Sequence, residues 1–114
     1  MQLKHIWVKD LMINYYSIND IDINSEDNIG KIEFCINKNK CYIISLFVDI
    51  KYRNRGLGSK LFSSVKNYCI DNKINIIKLD STTDMDDNRN LYIKHGMKYI
   101  NKNKGPEMDI LLFN

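Results

Sequence analysis

Apolar and polar positions alternate with a period of two near both ends of the chain, and with a period near 3.6 in two stretches between. Leu3 to Val8 alternates and carries Ile6, Trp7 and Val8, which predicts a strand. Leu11 to Ile18 fits two patterns. Leu11, Met12, Tyr15 and Tyr16 would make a helical stripe, but the aromatic and β-branched content and a tight turn at Lys9-Asp10 favour a second strand. Asn19 to Asn28 is polar, with Asp20, Asp22, Glu26 and Asp27, and predicts an exposed loop. Ile29 to Ile36 alternates again, with Ile32, Phe34 and Ile36 on one face, and Asn37 to Lys40 reads as a turn. Cys41 to Val48 is almost wholly apolar, the pattern of a central strand covered on both faces.

The period then changes. Leu57, Leu61, Phe62, Val65, Tyr68 and Cys69 recur at helical spacing, which predicts an amphipathic helix from Gly56 to about Asp71, ending in a turn at Asn72-Lys73. Ile74 to Leu79 is an apolar strand. Strand, helix and strand in that order make a parallel pair with a right-handed crossover. Asp84 can cap a second helix, Met85 to His95, which would bury Leu91, Tyr92 and Met85, with Gly96 as the residue after its C-cap. Met97 to Lys102 and Met108 to Phe113 read as strands joined by a turn at Lys104 to Pro106. The sum is an α/β fold: a mixed sheet with an antiparallel N-terminal half, one parallel βαβ unit, then a helix and a β-hairpin. The length suits a single domain over residues 1–114, and no internal repeat or linker interrupts it.

Charge and cysteine usage narrow the classes. A net charge of +3, with lysines scattered rather than striped, gives no basis for a nucleic-acid partner. Cys35, Cys41 and Cys69 form no C-x-x-C, and with His5 and His95 they give no zinc spacing, so no metal is expected. Buried free thiols in a reducing compartment are the simplest reading. The first residues lack the apolar core of a signal peptide, and the run Tyr42 to Val48 is far short of the ~20 residues a membrane helix needs. The expectation is a cytoplasmic protein without a membrane partner.

Candidate chemistry concentrates in Leu46 to Lys60, LFVDIKYRNRGLGSK. An apolar strand enters a basic loop, and the loop enters a helix whose first turn holds Gly56 and Gly58. Backbone N–H groups from Arg53 to Ser59 can converge there, with glycines letting an anion approach the backbone. The helix dipole and the charges of Lys51, Arg53 and Arg55 add to the attraction. Taken alone, the stretch indicates an anion site.

Two segments together say more. Arg53-Asn54-Arg55-Gly56-Leu57-Gly58 resembles motif A of the GNAT acetyltransferase superfamily, [QR]-x-x-G-x-[GA]. Asp49 to Tyr52 is similar to the family's V-D-P-x-Y-R approach, and Asn90 to Met97 to its L-Y-x-K-x-G-F segment, with one strand between the two helices as in the family. The resemblance implies acetyl-CoA as co-substrate. Its pyrophosphate would rest on the backbone of Arg53, Asn54, Arg55, Gly56, Leu57, Gly58 and Ser59. Its pantetheine arm would pair with Leu46, Phe47 and Val48, where the fourth and fifth strands splay apart. Lys60 and Arg55 would reach the ribose 3′-phosphate, and Asn88 the pantetheine. It further implies direct attack of a neutral amine on the thioester, a backbone N–H at Val48 for the developing oxyanion, and Tyr92 as the general acid for the leaving thiolate.

The sequence departs from the family in two places. The fourth strand carries no carboxylate, since Tyr42, Ile44 and Ser45 stand where one is common; Asp80 and Glu33 are left as candidate bases. His95, at a helix C-terminus, reads as a solvent-facing cap. The family usually has two helices between its first two strands, and there is little room for them here. Either one short helix replaces them or the chain passes directly from strand to strand, leaving an acceptor side that is open or completed by a second subunit in a homodimer. The activity so implied is N-acetylation of a primary amine, with a small-molecule acceptor favoured. A protein lysine or N-terminus is the alternative acceptor, and a catalytically weak acyl-CoA-binding or interaction module the alternative role.

Overall fold

The alternating stretches come together in a computed structural model describing residues 2–19, 28–80, 85–101 and 104–113. Its strands form one seven-stranded mixed sheet in the order β1-β2-β3-β4-β5-β7-β6. β1 (Lys4–Val8), β2 (Leu11–Asn19), β3 (Asn28–Asn37) and β4 (Lys40–Val48) are successively antiparallel. Helix α1 (Leu57–Asp71) then crosses to β5 (Ile76–Asp80), which lies parallel to β4. Helix α2 (Met85–Lys94) leads into β6 (Lys98–Asn101) and β7 (Lys104–Leu111), and β7 sits between β5 and β6. This is the fold class expected from the sequence.

Local chemistry explains the turns. Lys38 and Asn39, the two central residues of the β3–β4 hairpin, both take positive φ (51° and 62°), the geometry whose twist matches paired strands. Both helices end in the same double hydrogen bond. Lys73 N–H bonds Ile70 O (3.2 Å) and Ile74 N–H bonds Cys69 O (2.8 Å) after α1. Gly96 N–H bonds Ile93 O (3.0 Å) and Met97 N–H bonds Tyr92 O (3.0 Å) after α2. Gly96 has the expected left-handed φ, 96°.

The Leu11 stretch is a strand, running antiparallel to β1 from Val8↔Leu11 to Lys4↔Tyr15. The chain therefore passes directly from β1 to β2, with no helix between. Ile6, Trp7, Val8, Leu11 and Met12 of this hairpin are all exposed. The acidic loop expected after β2 and the cap at Asp84 lie outside the described residues.

Two expectations are corrected. Lys104 to Pro106 is the start of β7 rather than a turn, because pairing with β6 extends to Asn101↔Lys104 and Gly105 absorbs its positive φ of 77° inside the strand. β4 is not covered on both faces along its length. Cys41, Ile43 and Leu46 are buried, but Ile44 and Phe47 are exposed. Phe34 pairs with Ile43 and Glu33 with Ser45, so Ile44 is one surplus residue, a β-bulge. The bulge shifts the alternation by one position, and a run that reads as doubly buried is two half-strands out of phase.

The core lies between α1 and the middle strands. Leu61, Phe62, Val65 and Cys69 of α1 are buried against Ile32 and Phe34 of β3 and Cys41, Ile43 and Leu46 of β4. Phe34 stacks on Tyr16 (ring centroids 6.0 Å apart) and meets Tyr68 edge-on at 5.4 Å. Burying each large apolar side chain contributes about 1.5–3 kcal/mol, which anchors the helix whose N-terminus forms the site.

Candidate functional site

The bulge opens the sheet. The parallel ladder runs from Lys40↔Ile76 only to Ile43↔Leu79, after which β4 diverges from β5. On its other side β4 stays paired with β3, and Asp49 N–H bonds Ile29 O at 2.7 Å. The alternation of an antiparallel ladder then turns the peptide groups of Leu46 and Val48 away from β3, toward the gap. Their carbonyls accept from groups across it: Leu46 O from Asn88 Nδ2 of α2 (2.9 Å), and Val48 O from Arg53 Nε (2.9 Å).

Beyond β4 the Asp49 carboxylate accepts from Lys51 N–H (2.9 Å) and stabilises a single 3₁₀ turn, Ile50–Tyr52. Arg53 is extended, Asn54 takes φ 64°, and Gly56 takes φ 77° as the residue before α1. No side chain caps the helix and its first turn holds no acidic residue. The first-turn N–H groups are thus left to an anion. Asn tolerates the left-handed region, so Asn54 does not disturb the loop.

These elements border a cleft of about 580 Å³, a size typical of small-ligand sites. Leu46, Phe47, Val48, Arg53, Asn54, Gly56, Leu57, Gly58, Ser59 and Asn88 all line it, as the sequence suggests. Its lining carries the cations Arg53 and Lys94 and, among the described residues, no carboxylate. Such a cleft can take an elongated ligand with an anionic group at the α1 N-terminus and an amide-bearing arm along Leu46 to Val48.

The two glycines serve different ends. A Cβ on Gly56 would meet nothing within 4 Å, and its requirement is the positive φ. A Cβ on Gly58 would lie 2.8 Å from Leu91 Cδ1, so Gly58 lets α1 approach α2. Gly58 therefore also ties the two signature segments together by packing, beyond any approach of an anion to the backbone.

Other expected residues fall elsewhere. Arg55 is not among the lining residues, and its guanidinium lies over the Tyr52 ring at 5.4 Å. Lys60 is exposed outside the cleft. Tyr92 is wholly buried, with its ring 5.9 Å from Phe62, and does not line the cleft. The Asp80 side chain lies outside the described residues; its backbone ends β5, opposite Glu107.

His95 is not a solvent-facing cap. Its ring packs on Phe62 (4.9 Å) and Nε2 lies 3.0 Å from Ser59 Oγ. Burial, then the charges of Lys66 and Lys94, push its pKa down. Glu33, the other candidate base, accepts from Ser45 Oγ at 2.8 Å. Ser45, Tyr52, Asn90, Leu91 and Lys94 line the cleft without having been expected there. Ser45 could have been marked as the hydroxyl inside an apolar strand, and Asn90, Leu91 and Lys94 by their spacing on one helix face.

The sequence matches the model of the acetyltransferase (GNAT) family over residues 10–97. Among curated proteins no sequence matches it significantly. Solved structures that align with it include a GNAT-family acetyltransferase from Staphylococcus aureus Mu50, at 22% identity and TM-score 0.72, covering 89% of this chain and 68% of that one. The PaiA N-acetyltransferase from Thermoplasma acidophilum in complex with coenzyme A aligns at 21% identity and TM-score 0.65, covering 74% and 54%. The ribosomal-protein-S18-alanine N-acetyltransferase from Escherichia coli aligns at 11% and 0.68, covering 95% and 73%. At these identities the likeness is one of fold, and the chain spans from 54% to 73% of the length of these three proteins. The stretch matched by the family runs from the β1–β2 turn past the end of α2 and contains every residue that lines the cleft, and so the chain belongs to the GNAT acetyltransferase family.

Proposed function

We propose that this chain transfers the acetyl group of acetyl-CoA to a primary amine, with a small-molecule acceptor favoured. The observation that carries the proposal is the gap beyond Ile44, which starts at an uncapped helix N-terminus and runs along the peptide groups of Leu46 and Val48. Those features suit the diphosphate and the two amides of the pantetheine arm, and the PaiA relative was solved in complex with coenzyme A. Acetyl-CoA would supply the acetyl group as a thioester.

The chain's own residues then have separable tasks. First-turn N–H groups of α1, with Arg53, hold the diphosphate. Arg55 and Lys60, outside the cleft, serve a 3′-phosphate at its rim. Asn88 already bonds Leu46 O and must share or yield that carbonyl to the arm. The Val48 N–H faces the gap, where an oxyanion would develop. An alkyl amine is mostly protonated at neutral pH and must first lose a proton. The Ser45 hydroxyl lines the cleft and donates to Glu33, which offers Glu33 as an acceptor for that proton, beside Asp80 as the sequence suggests. Tyr92, buried behind the cleft wall, serves as acid only if the sulfur reaches past that wall.

Acceptors on a protein, a lysine or an N-terminus, form the second reading. The direct β1–β2 hairpin favours it, because no helix stands between those strands to wall off a peptide. The exposed apolar residues of the same hairpin support pairing with a second copy. The three free thiols support a reducing, cytoplasmic setting.

Calorimetry with acetyl-CoA and a thiol-release assay against amines and peptides test the proposal together. Micromolar binding with thiol release on an amine is the expected result. No binding at millimolar acetyl-CoA would end it, and binding without release on any amine would leave an acyl-CoA-binding module.

A further inference from the structure

His95 lies outside the cleft wall and yet acts on it through Ser59. Its Nε2 is 3.0 Å from Ser59 Oγ, and its ring is held against Phe62. Ser59 stands in the first turn of α1 and lines the cleft. A serine hydroxyl has one proton to donate. If Nε2 is the acceptor, that proton points at the ring and the cleft meets only lone pairs. If Nε2 carries a proton, the ring donates to Oγ and the hydroxyl proton turns toward the cleft.

We infer that His95 is a positioning residue for the anionic end of the donor: its Nε2–H donates to Ser59 Oγ and so aims the Ser59 hydroxyl at a phosphate oxygen. This rests on the cleft's being a CoA site. The hydrogen bond joins residues 36 positions apart, His95 within the second signature segment and Ser59 directly after the first. It also couples binding to protonation. A neutral ring with its proton on Nδ1 must change tautomer before it can donate, whereas the imidazolium donates at once. The charged groups acting on the ring are Lys66 of α1, whose Nζ donates to His95 O at 3.3 Å, and Lys94 of α2. Both disfavour the imidazolium. A bound diphosphate reverses the sign of the local field, so CoA binding draws a proton onto His95 below neutral pH.

The experiment is calorimetry with CoA at about pH 6 and about pH 8, in buffers of differing ionisation enthalpy, with melting curves as a check on folding. Wild type should take up protons on binding near the lower pH. His95→Phe and Ser59→Ala should each weaken CoA about tenfold, the scale of one hydrogen bond to a charged group. Because His95 acts through Ser59, the double variant should bind no more weakly than either single one. His95→Gln, which restores an N–H donor, should recover most of the affinity without the pH dependence. Additive losses, or wild-type affinity in folded His95→Phe, would overturn the inference and leave the CoA site standing. Should His95→Phe fail to fold, Ser59→Ala decides: wild-type affinity and proton uptake in it would also overturn the inference. A wild-type chain that binds no CoA would overturn the reading of the cleft, and the inference with it.

Discussion

Replacing the two cradle glycines one at a time separates backbone conformation from packing. Gly56 has φ 77° with open space where a methyl would stand, so Gly56→Ala meets only the left-handed strain of an L residue, about 1–2 kcal/mol. Gly58 is helical, and its Cβ would lie 2.8 Å from Leu91 Cδ1 and 3.8 Å from Val48 Cγ2. The leucine methyl must retreat by about 0.7 Å to reach ordinary carbon contact. As the tip of a half-buried side chain it can do so by a χ rotation costing about 0.5–1.5 kcal/mol. Alanine returns about 0.8–1.0 kcal/mol in helix propensity. Gly58→Ala should therefore fall within about 0.7 kcal/mol of wild type. Gly58→Val adds bulk that Leu91 cannot clear and lacks the propensity gain, for a loss of about 1–3 kcal/mol. Urea denaturation followed by circular dichroism reads all three. Leu91→Ala should relieve Gly58→Val and leave Gly56→Ala untouched. A silent Gly56→Ala, or a Gly58→Val that Leu91→Ala does not relieve, would refute the reasoning.

Other outcomes follow from single contacts. Asn88→Ala should cost about 1 kcal/mol in urea denaturation by removing its hydrogen bond to Leu46 O, and weaken acetyl-CoA severalfold in calorimetry. Tyr92→Phe should lower kcat with little change in KM if the phenol serves the sulfur; an unchanged kcat in a thiol-release assay removes it from the chemistry. Cys41 and Cys69 are fully buried, and their mutual hydrogen bond followed by burial holds the Cys41 thiol far above its usual range. Native protein should present only half-buried Cys35 to a disulfide reagent on the minute scale, with the other two reacting in denaturant. His95 is depressed below its ordinary 6.5, so below that pH the unfolded chain binds more protons than the native one. Stability should fall as pH drops through about 6.5 and level off below the native ring's lower pKa. Urea midpoints across this range should show the loss, and His95→Gln should flatten it.

The sequence revealed the cradle because its chemistry is local. Gly56, Asn54 and the helix start sit within a few residues of one another, and the positive φ they need is written in their side chains. The bulge was not legible. An unbroken apolar run is what both a doubly buried strand and two half-strands out of phase look like, and only the pairing of Glu33 with Ser45 distinguishes them. The Gly105-Pro106 pair has turn composition, yet pairing to β6 draws it into a strand. The partnership of His95 with Ser59 depends on how closely α2 meets α1, which Gly58 permits and no periodicity reports. Tyr92 has the right position in its motif, but burial behind the cleft wall is a property of the packed core, not of the motif.

The surplus residue in β4 makes position 44 sensitive in an unusual way. Ile44 is exposed and contributes little to the core, so most substitutions there should be well tolerated. Deleting it is another matter. Ser45 to Val48 would keep their partners on β3 and their faces, with Leu46 inside and Phe47 outside, but the alternation of β4 would run unbroken and the strand could again run alongside β5. The fold would close over its own binding slot. The chain can therefore drift freely in the identity of this residue while being held strictly to its presence, a constraint on residue count rather than on chemistry.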